Sequence, residues 1–247
     1  MKSLLHIIAV CLLFPVIGCQ KGDVSNQKDA KSATSTQSTE VASKTITLST
    51  SDGWKIVGDL FGAPNNKKGI IILLHQRGGS AYDWRNLCAQ LQQEGFSALA
   101  LDLRGTGRSM AMTGGKEAPW LVLKDIDAAI ATLKGPIGLA GASYGANNAL
   151  IHAANNHKLV KAVALFSPGL DYHGLEALPA AEKYKGAVAI WNETEDVISG
   201  EGPKQIAEAG KAAGYELHAL GGSEHGTTLL NNEVILETVS FFRTHLK

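Results

Sequence analysis

The stretch "IGLAGASYGANNAL", residues 137–150, decides how this chain is read. An apolar run ends in Gly141-Ala142-Ser143-Tyr144-Gly145, the pattern G-x-S-x-G, and an alanine-rich segment follows. The run suits a strand buried on both faces, and the segment after it suits a helix. Ser143 then falls on a sharp, crowded strand-to-helix turn, where small residues at 141 and 145 relieve the crowding. The helix that begins there points its positive end at the serine, with the Tyr144 amide oriented to donate. A serine held this way is a candidate nucleophile.

The surrounding sequence supplies the sheet that such a turn requires. "TITLST" and "WKIVGDLFGA" alternate in polarity across "SDG", which predicts a leading antiparallel hairpin. Residues 69–75, 96–103, 137–142 and 186–192 are short apolar runs, each predicted as a strand. "VKAVALFSP" and "YELHALGG" read as strands as well. Between them, 82–95, 119–135, 202–214 and the closing "NNEVILETVSFFRTHLK" carry helical periodicity. This alternation predicts a mostly parallel sheet with helices on both faces. In that architecture ligands sit at the carboxyl ends of the strands, which is where Ser143 falls.

A serine hydroxyl needs a base. His225, in the glycine-rich "GGSEHGTTLL" after the last strand, is the candidate. His218 and His245 lie inside a predicted strand and the terminal helix, and His152 and His157 lie on or just after the helix that follows Ser143. The imidazole in turn needs a carboxylate to fix its tautomer and stabilise its cation. "WNETEDVIS" offers Glu193, Glu195 and Asp196. Asp196 is preferred because it lies far enough past the strand to turn back toward His225, with Glu195 the alternative. Cys88 shares helical spacing with Trp84, Leu87 and Leu91, so it reads as a small buried residue rather than a nucleophile.

The order Ser143, Asp196, His225 resembles that of the α/β-hydrolases. "IILLHQRGGSAYDW" is similar to that family's strand and His-Gly-type oxyanion loop, and "LALDLRGTGRS" to its Asp-x-Arg-Gly-x-Gly-x-Ser segment. The resemblance spans residues 45–247 and is nearest to small carboxylesterases and dienelactone-hydrolase-like enzymes. It implies an α/β-hydrolase fold without a substantial lid and a serine hydrolase that cleaves carboxylic esters through an acyl-enzyme, with no cofactor and no metal. It also implies that the amides of Arg77 and Tyr144 form an oxyanion hole. The chain departs from the family at His75-Gln76, where His-Gly is common; a side chain at Gln76 would narrow or polarise that loop. Gln76, Tyr172 and His173 are candidate substrate contacts, and Arg104 and Arg108 read as structural. The same three residues would also serve an acyltransferase or a peptidase, and a non-catalytic binding lipoprotein is a further alternative.

Composition bounds the partners. Lysine plus arginine equals aspartate plus glutamate, 23 each. A neutral chain gives no electrostatic argument for a nucleic-acid partner, which usually needs a basic face. At the N-terminus, "MKSLLHIIAVCLLFPVIGCQ" has one basic residue, then an apolar run too short to span a bilayer, which fits a signal peptide over 1–18. "VIGC" resembles the lipobox of bacterial lipoproteins. That resemblance implies lipidation at Cys19, a membrane partner reached through a lipid anchor, and a place in the bacterial cell envelope, with Gln20 compatible with the outer membrane; an ordinary cleaved signal with Cys19 incidental, giving a secreted or periplasmic protein, is the alternative. Residues 19–44, rich in Ser, Thr, Lys and Gln, are expected to be a disordered tether, and 45–247 the catalytic domain.

Overall fold

The computed structural model describes residues 42–113 and 119–246. The expected signal peptide, Cys19 and most of the expected tether lie outside the described residues. The first strand begins two residues before the expected domain start.

Eight strands form one sheet: β1 (Ser43–Ser49), β2 (Lys55–Phe61), β3 (Ile70–Leu74), β4 (Ser97–Asp102), β5 (Ile137–Ala142), β6 (Val160–Phe166), β9 (Ala187–Glu193) and β10 (Glu216–Leu220). Their spatial order is β1-β2-β4-β3-β5-β6-β9-β10. The hairpin β1–β2 is antiparallel and β2 joins β4 antiparallel; every other pairing is parallel. The helices are α1 (Arg85–Gln93), α2 (Gly107–Thr113), α3 (Val122–Thr132), α4 (Tyr144–Asn155), α5 (Leu178–Lys183), α6 (Gly202–Ala209) and α7 (Asn232–His245). A two-stranded ribbon, β7 (Asp171–Tyr172) with β8 (Leu175–Glu176), precedes α5.

The continuous apolar runs have a simple cause. In β3, Ile70, Ile72 and Leu74 belong to one buried cluster, and Ile71 and Leu73 to another. Alternate side chains face opposite sides of the sheet, and both sides are covered. The first side packs on α3, α4, α5 and α6 through Ile126, Leu150, Ala181 and Ile206. The second packs on α1 and α7 through Leu87, Leu91, Val239 and Phe242. Many of the sheet side chains there are small: Ala98, Ala100, Ala140, Ala142, Ala162, Ala164 and Ala189. That leaves room for Trp84, which meets Phe166 edge-on at 5.6 Å, and for Trp191, stacked on Phe166 at 5.2 Å. Cys88 is fully buried here, and burial pushes its thiol pKa up, so it stays protonated and inert.

The charged segment after β4 is structural. Arg104 is 1% exposed and donates to Asp125 (2.6 Å) and Asp52 (3.0 Å). Arg108 joins Asp102 (2.6 Å) to Asp59 (2.8 Å) and so ties the segment to β2.

The β3–α1–β4 connection runs to one side of β3, and the next strand, β5, lies on its other side. The sheet therefore switches direction between β3 and β5. A crevice at the carboxyl ends of these two strands is where such sheets bind ligands. The loops that leave β3 and β5 carry Gln76-Arg77 and Ser143.

Candidate active site

Ser143 is the residue between β5 and α4, with φ 53° and ψ −124°. A non-glycine residue in that region is strained, by about 1–3 kcal/mol, and needs surroundings that hold it there. Its amide donates to the Phe166 carbonyl at 2.9 Å, which anchors the turn to β6. The two glycines are required by contact rather than by flexibility. A Cβ on Gly145 would overlap the Leu74 and His75 carbonyl oxygens, and one on Gly141 would overlap the Gly145 carbonyl. Any side chain at 145 would push α4 away from the end of β3.

His225 lies past β10, in the loop that leads to α7. Its Nδ1 is 2.8 Å from Asp196 Oδ2, so Nδ1–H donates to the carboxylate and Nε2 is left as the basic nitrogen. Asp196 is 4% exposed. Its Oδ1 accepts from the amides of Ile198 (3.0 Å) and Ser199 (3.3 Å), and Ser199 Oγ is 2.8 Å from Oδ2. Burial alone would raise the Asp196 pKa; hydrogen bonds from His225, Ser199 and Ser167 outweigh it and hold the pKa below the ordinary carboxylate value. Glu195 is exposed, and its backbone amide bonds Gly222. Glu193 accepts the Glu224 amide. Asp196 is thus the carboxylate that meets His225.

Ser143 and His225 line one cavity of about 310 Å³ with Gln76, Arg77, Tyr144, Tyr172, His173 and Ile198. The structure therefore brings together at this cavity all the candidates named from sequence for nucleophile, base, oxyanion loop and substrate contact. Tyr172 comes from β7. Its ring meets the His225 ring edge-on at 6.5 Å, and its hydroxyl donates to the Ser167 carbonyl at 3.3 Å. Burial pushes the Tyr172 pKa up to about 12, so the phenol is a neutral donor throughout the working range. The segment 168–186 is a small hairpin plus a helix. Asn147 of α4 holds the hairpin by donating to the carbonyls of Gly169 (2.9 Å) and Leu175 (2.7 Å).

His75 supports the loop that leaves β3. Its Nε2 accepts the Leu103 amide at 3.1 Å, which leaves the proton on Nδ1, 2.6 Å from the Gln76 carbonyl. His218 stacks on Trp191 at 4.7 Å, away from Ser143's cavity. His152 is buried in α4, where it contacts Asp127 at 2.8 Å.

Two residues with a place in this site were not anticipated from sequence, Ser167 and Ser199. Ser167 is fully buried, has φ 50° and accepts the Gly226 amide at 3.0 Å, and its hydroxyl helps to lower the Asp196 pKa. A serine at the end of a strand carries no local signal of such a role.

Solved structures share this architecture at low sequence identity. An esterase of Pyrococcus furiosus superposes with a TM-score of 0.72 at 18% identity, covering 84% of this chain and 94% of that one. A dienelactone hydrolase of Anabaena variabilis gives 0.63 at 20% identity, covering 83% and 99%. A monoacylglycerol lipase of Paleococcus ferrophilus gives 0.66 at 18%, covering 76% and 98%. No curated protein matches the sequence. The fold is that of the α/β-hydrolases. The family model described as serine aminopeptidase, S33 (Hydrolase_4) matches residues 65–225, from just before β3 to His225, and the chain belongs to that family.

Proposed function

We propose that this α/β-hydrolase cleaves carboxylic esters through an acyl-enzyme. The observation that carries the reading is the 2.8 Å His225–Asp196 pair, opening on the same cavity as the strained Ser143. His225 Nε2 takes the proton from Ser143 Oγ as Oγ attacks the acyl carbon. The carbonyl electron pair moves onto oxygen, and that oxyanion accepts hydrogen bonds from the amides of Arg77 and Tyr144. Collapse of the tetrahedral adduct expels the alkoxide, which takes the proton from His225. Water then attacks the acyl-Ser143 ester by the same steps in reverse roles and returns the free acid and Ser143. Asp196, ionised by virtue of its lowered pKa, stabilises the imidazolium at each stage.

The ester reading is favoured over aminopeptidase action by the cavity's size and walls. The cavity is small, and Tyr172, Ile198 and Tyr144 give it apolar walls, which suits short acyl groups. Two structural neighbours, an esterase and a monoacylglycerol lipase, support the same class.

The test is a panel of p-nitrophenyl esters from acetate upward beside amino-acid p-nitroanilides. Short esters should turn over and anilides should not, and Ser143→Ala should abolish ester turnover. Turnover of anilides in preference to esters would replace this reading with a peptidase. The proposal extends to location: residues 1–18 act as a signal, and Cys19 carries the lipid that tethers the enzyme to the bacterial envelope through the segment that precedes β1. Cys19→Ala should move the protein from the membrane to the soluble fraction; unchanged fractionation would contradict the anchor.

A further inference from the structure

The loop that carries the base has an unusual support. Beyond Gly222, backbone pairing with the sheet ends, and three side-chain oxygens from three strand ends take over. Glu193, at the end of β9, accepts the Glu224 amide at 2.5 Å. Ser167, just past β6, accepts the Gly226 amide at 3.0 Å. Gln76, two residues past β3, accepts the Thr227 amide at 2.6 Å and the Thr227 hydroxyl at 2.9 Å. His225 is thus held from both sides by acceptors outside its own loop.

The glycines around it follow from that support. A Cβ on Gly226, at φ 67°, would overlap Gln76 Oε1, and one on Gly222, at φ 125°, would overlap Glu193 Oε2. Each is glycine where an acceptor side chain must reach the backbone. The orientation of the Gln76 amide is also fixed by chemistry, since a backbone N–H can face only its oxygen.

We infer that Gln76 is a positioning residue for His225: its Oε1, by capturing the Thr227 amide and hydroxyl, sets where the imidazole stands relative to Ser143. The inference rests on the proposed Ser143–His225 chemistry. It assigns a task to the side chain that stands where the family commonly has glycine. A base displaced by about 1 Å loses rate on the order of 10²-fold, because proton transfer depends on alignment. Loss of Gln76 Oε1 should therefore appear in kcat and not in KM.

The experiment compares Gln76→Leu, Gln76→Glu and Ser143→Ala on one p-nitrophenyl ester, with pH profiles of kcat/KM and thermal melting. Gln76→Leu should lower kcat about 10- to 100-fold with KM within about threefold. Gln76→Glu keeps an acceptor oxygen and should recover most of kcat. Its carboxylate, close to the loop, adds negative charge to the surroundings of His225, which already include Asp196 from the acid loop, Tyr172 and His173 from the hairpin, Arg77 from the β3 loop and the neighbouring Glu224. The acid limb of its profile should accordingly move to higher pH. If Gln76→Leu folds poorly, the recovery and limb shift in Gln76→Glu carry the test alone. Wild-type kcat in Gln76→Leu, a change confined to KM, or a Gln76→Glu variant with low kcat and an unmoved limb would each overturn the inference. Ser143→Ala separates the two levels: full activity in that variant removes the proposed chemistry itself, whereas an inactive Ser143→Ala beside a normal Gln76→Leu removes only the role of Gln76.

Discussion

The turn at Ser143 and the loop at His225 meet at one cavity but are built by opposite means. At the turn, backbone does the positioning. β5 is buried on both faces, α4 starts at once, and Gly141 and Gly145 let helix and strand carbonyls approach until Ser143 has no choice of conformation. At the loop, side chains do it. Glu193, Ser167 and Gln76 each hold one amide, and no strand continues through the loop. The lesson is that a steric device is insensitive to solution conditions and intolerant of any added atom. A hydrogen-bonded device tolerates a conservative exchange and fails by degrees.

The largest effect expected on the turn is chemical. Ser143→Ala should cost on the order of 10⁶-fold in kcat, as loss of a nucleophile does, while thermal melting stays near wild type because only a hydroxyl is removed. Asp196→Asn should cost about 10⁴-fold with the fold retained, since the wrong imidazole tautomer is then favoured. A loss under tenfold would mean that Asp196 does not orient the base. Gly145→Ala probes the steric half of the comparison. The added methyl has nowhere to go between Leu74 and His75, so the variant should lose about 1–3 kcal/mol of stability in urea titration, together with activity. A variant as stable as wild type would show that the turn is not crowded. The smallest effect concerns pH. The folded-state pKa of Asp196 lies below its ordinary value of 3.8. The stabilisation it brings is therefore present above that value and lost as pH falls below it, where the unfolded chain takes up the proton first. Between pH 5 and pH 3 the wild type should lose more stability than Asp196→Asn, as read by denaturant midpoints; parallel losses would contradict the shift.

The same contrast explains what could be read from sequence. Buried strands such as Ile70–Leu74 announce themselves because each face of the strand needs an apolar layer. The Ser143 turn announces itself because its constraint is local and fixes residue types at 141, 143 and 145. Asp196 and His225 were legible as a carboxylate and an imidazole on the right loops, and the choice between Asp196 and Glu195 needed the fold of the loop. Gln76 and Thr227 are 151 residues apart, and nothing near either one points to the other. Ser167 likewise has no pattern around it; its role exists only once β6 ends beside the acid and base loops. The ribbon of β7 and β8 escaped because two-residue strands carry no periodicity, and it is fixed by Asn147 from a distant helix.

The account stands on Ser143 being the nucleophile, and the most direct measurement is labelling with a fluorophosphonate followed by peptide mass spectrometry. One equivalent of label on Ser143, abolished in Ser143→Ala and strongly slowed in a His225→Ala variant, is the result expected. An enzyme that hydrolyses esters while its label sits on another residue, or that takes no label at all, would contradict it.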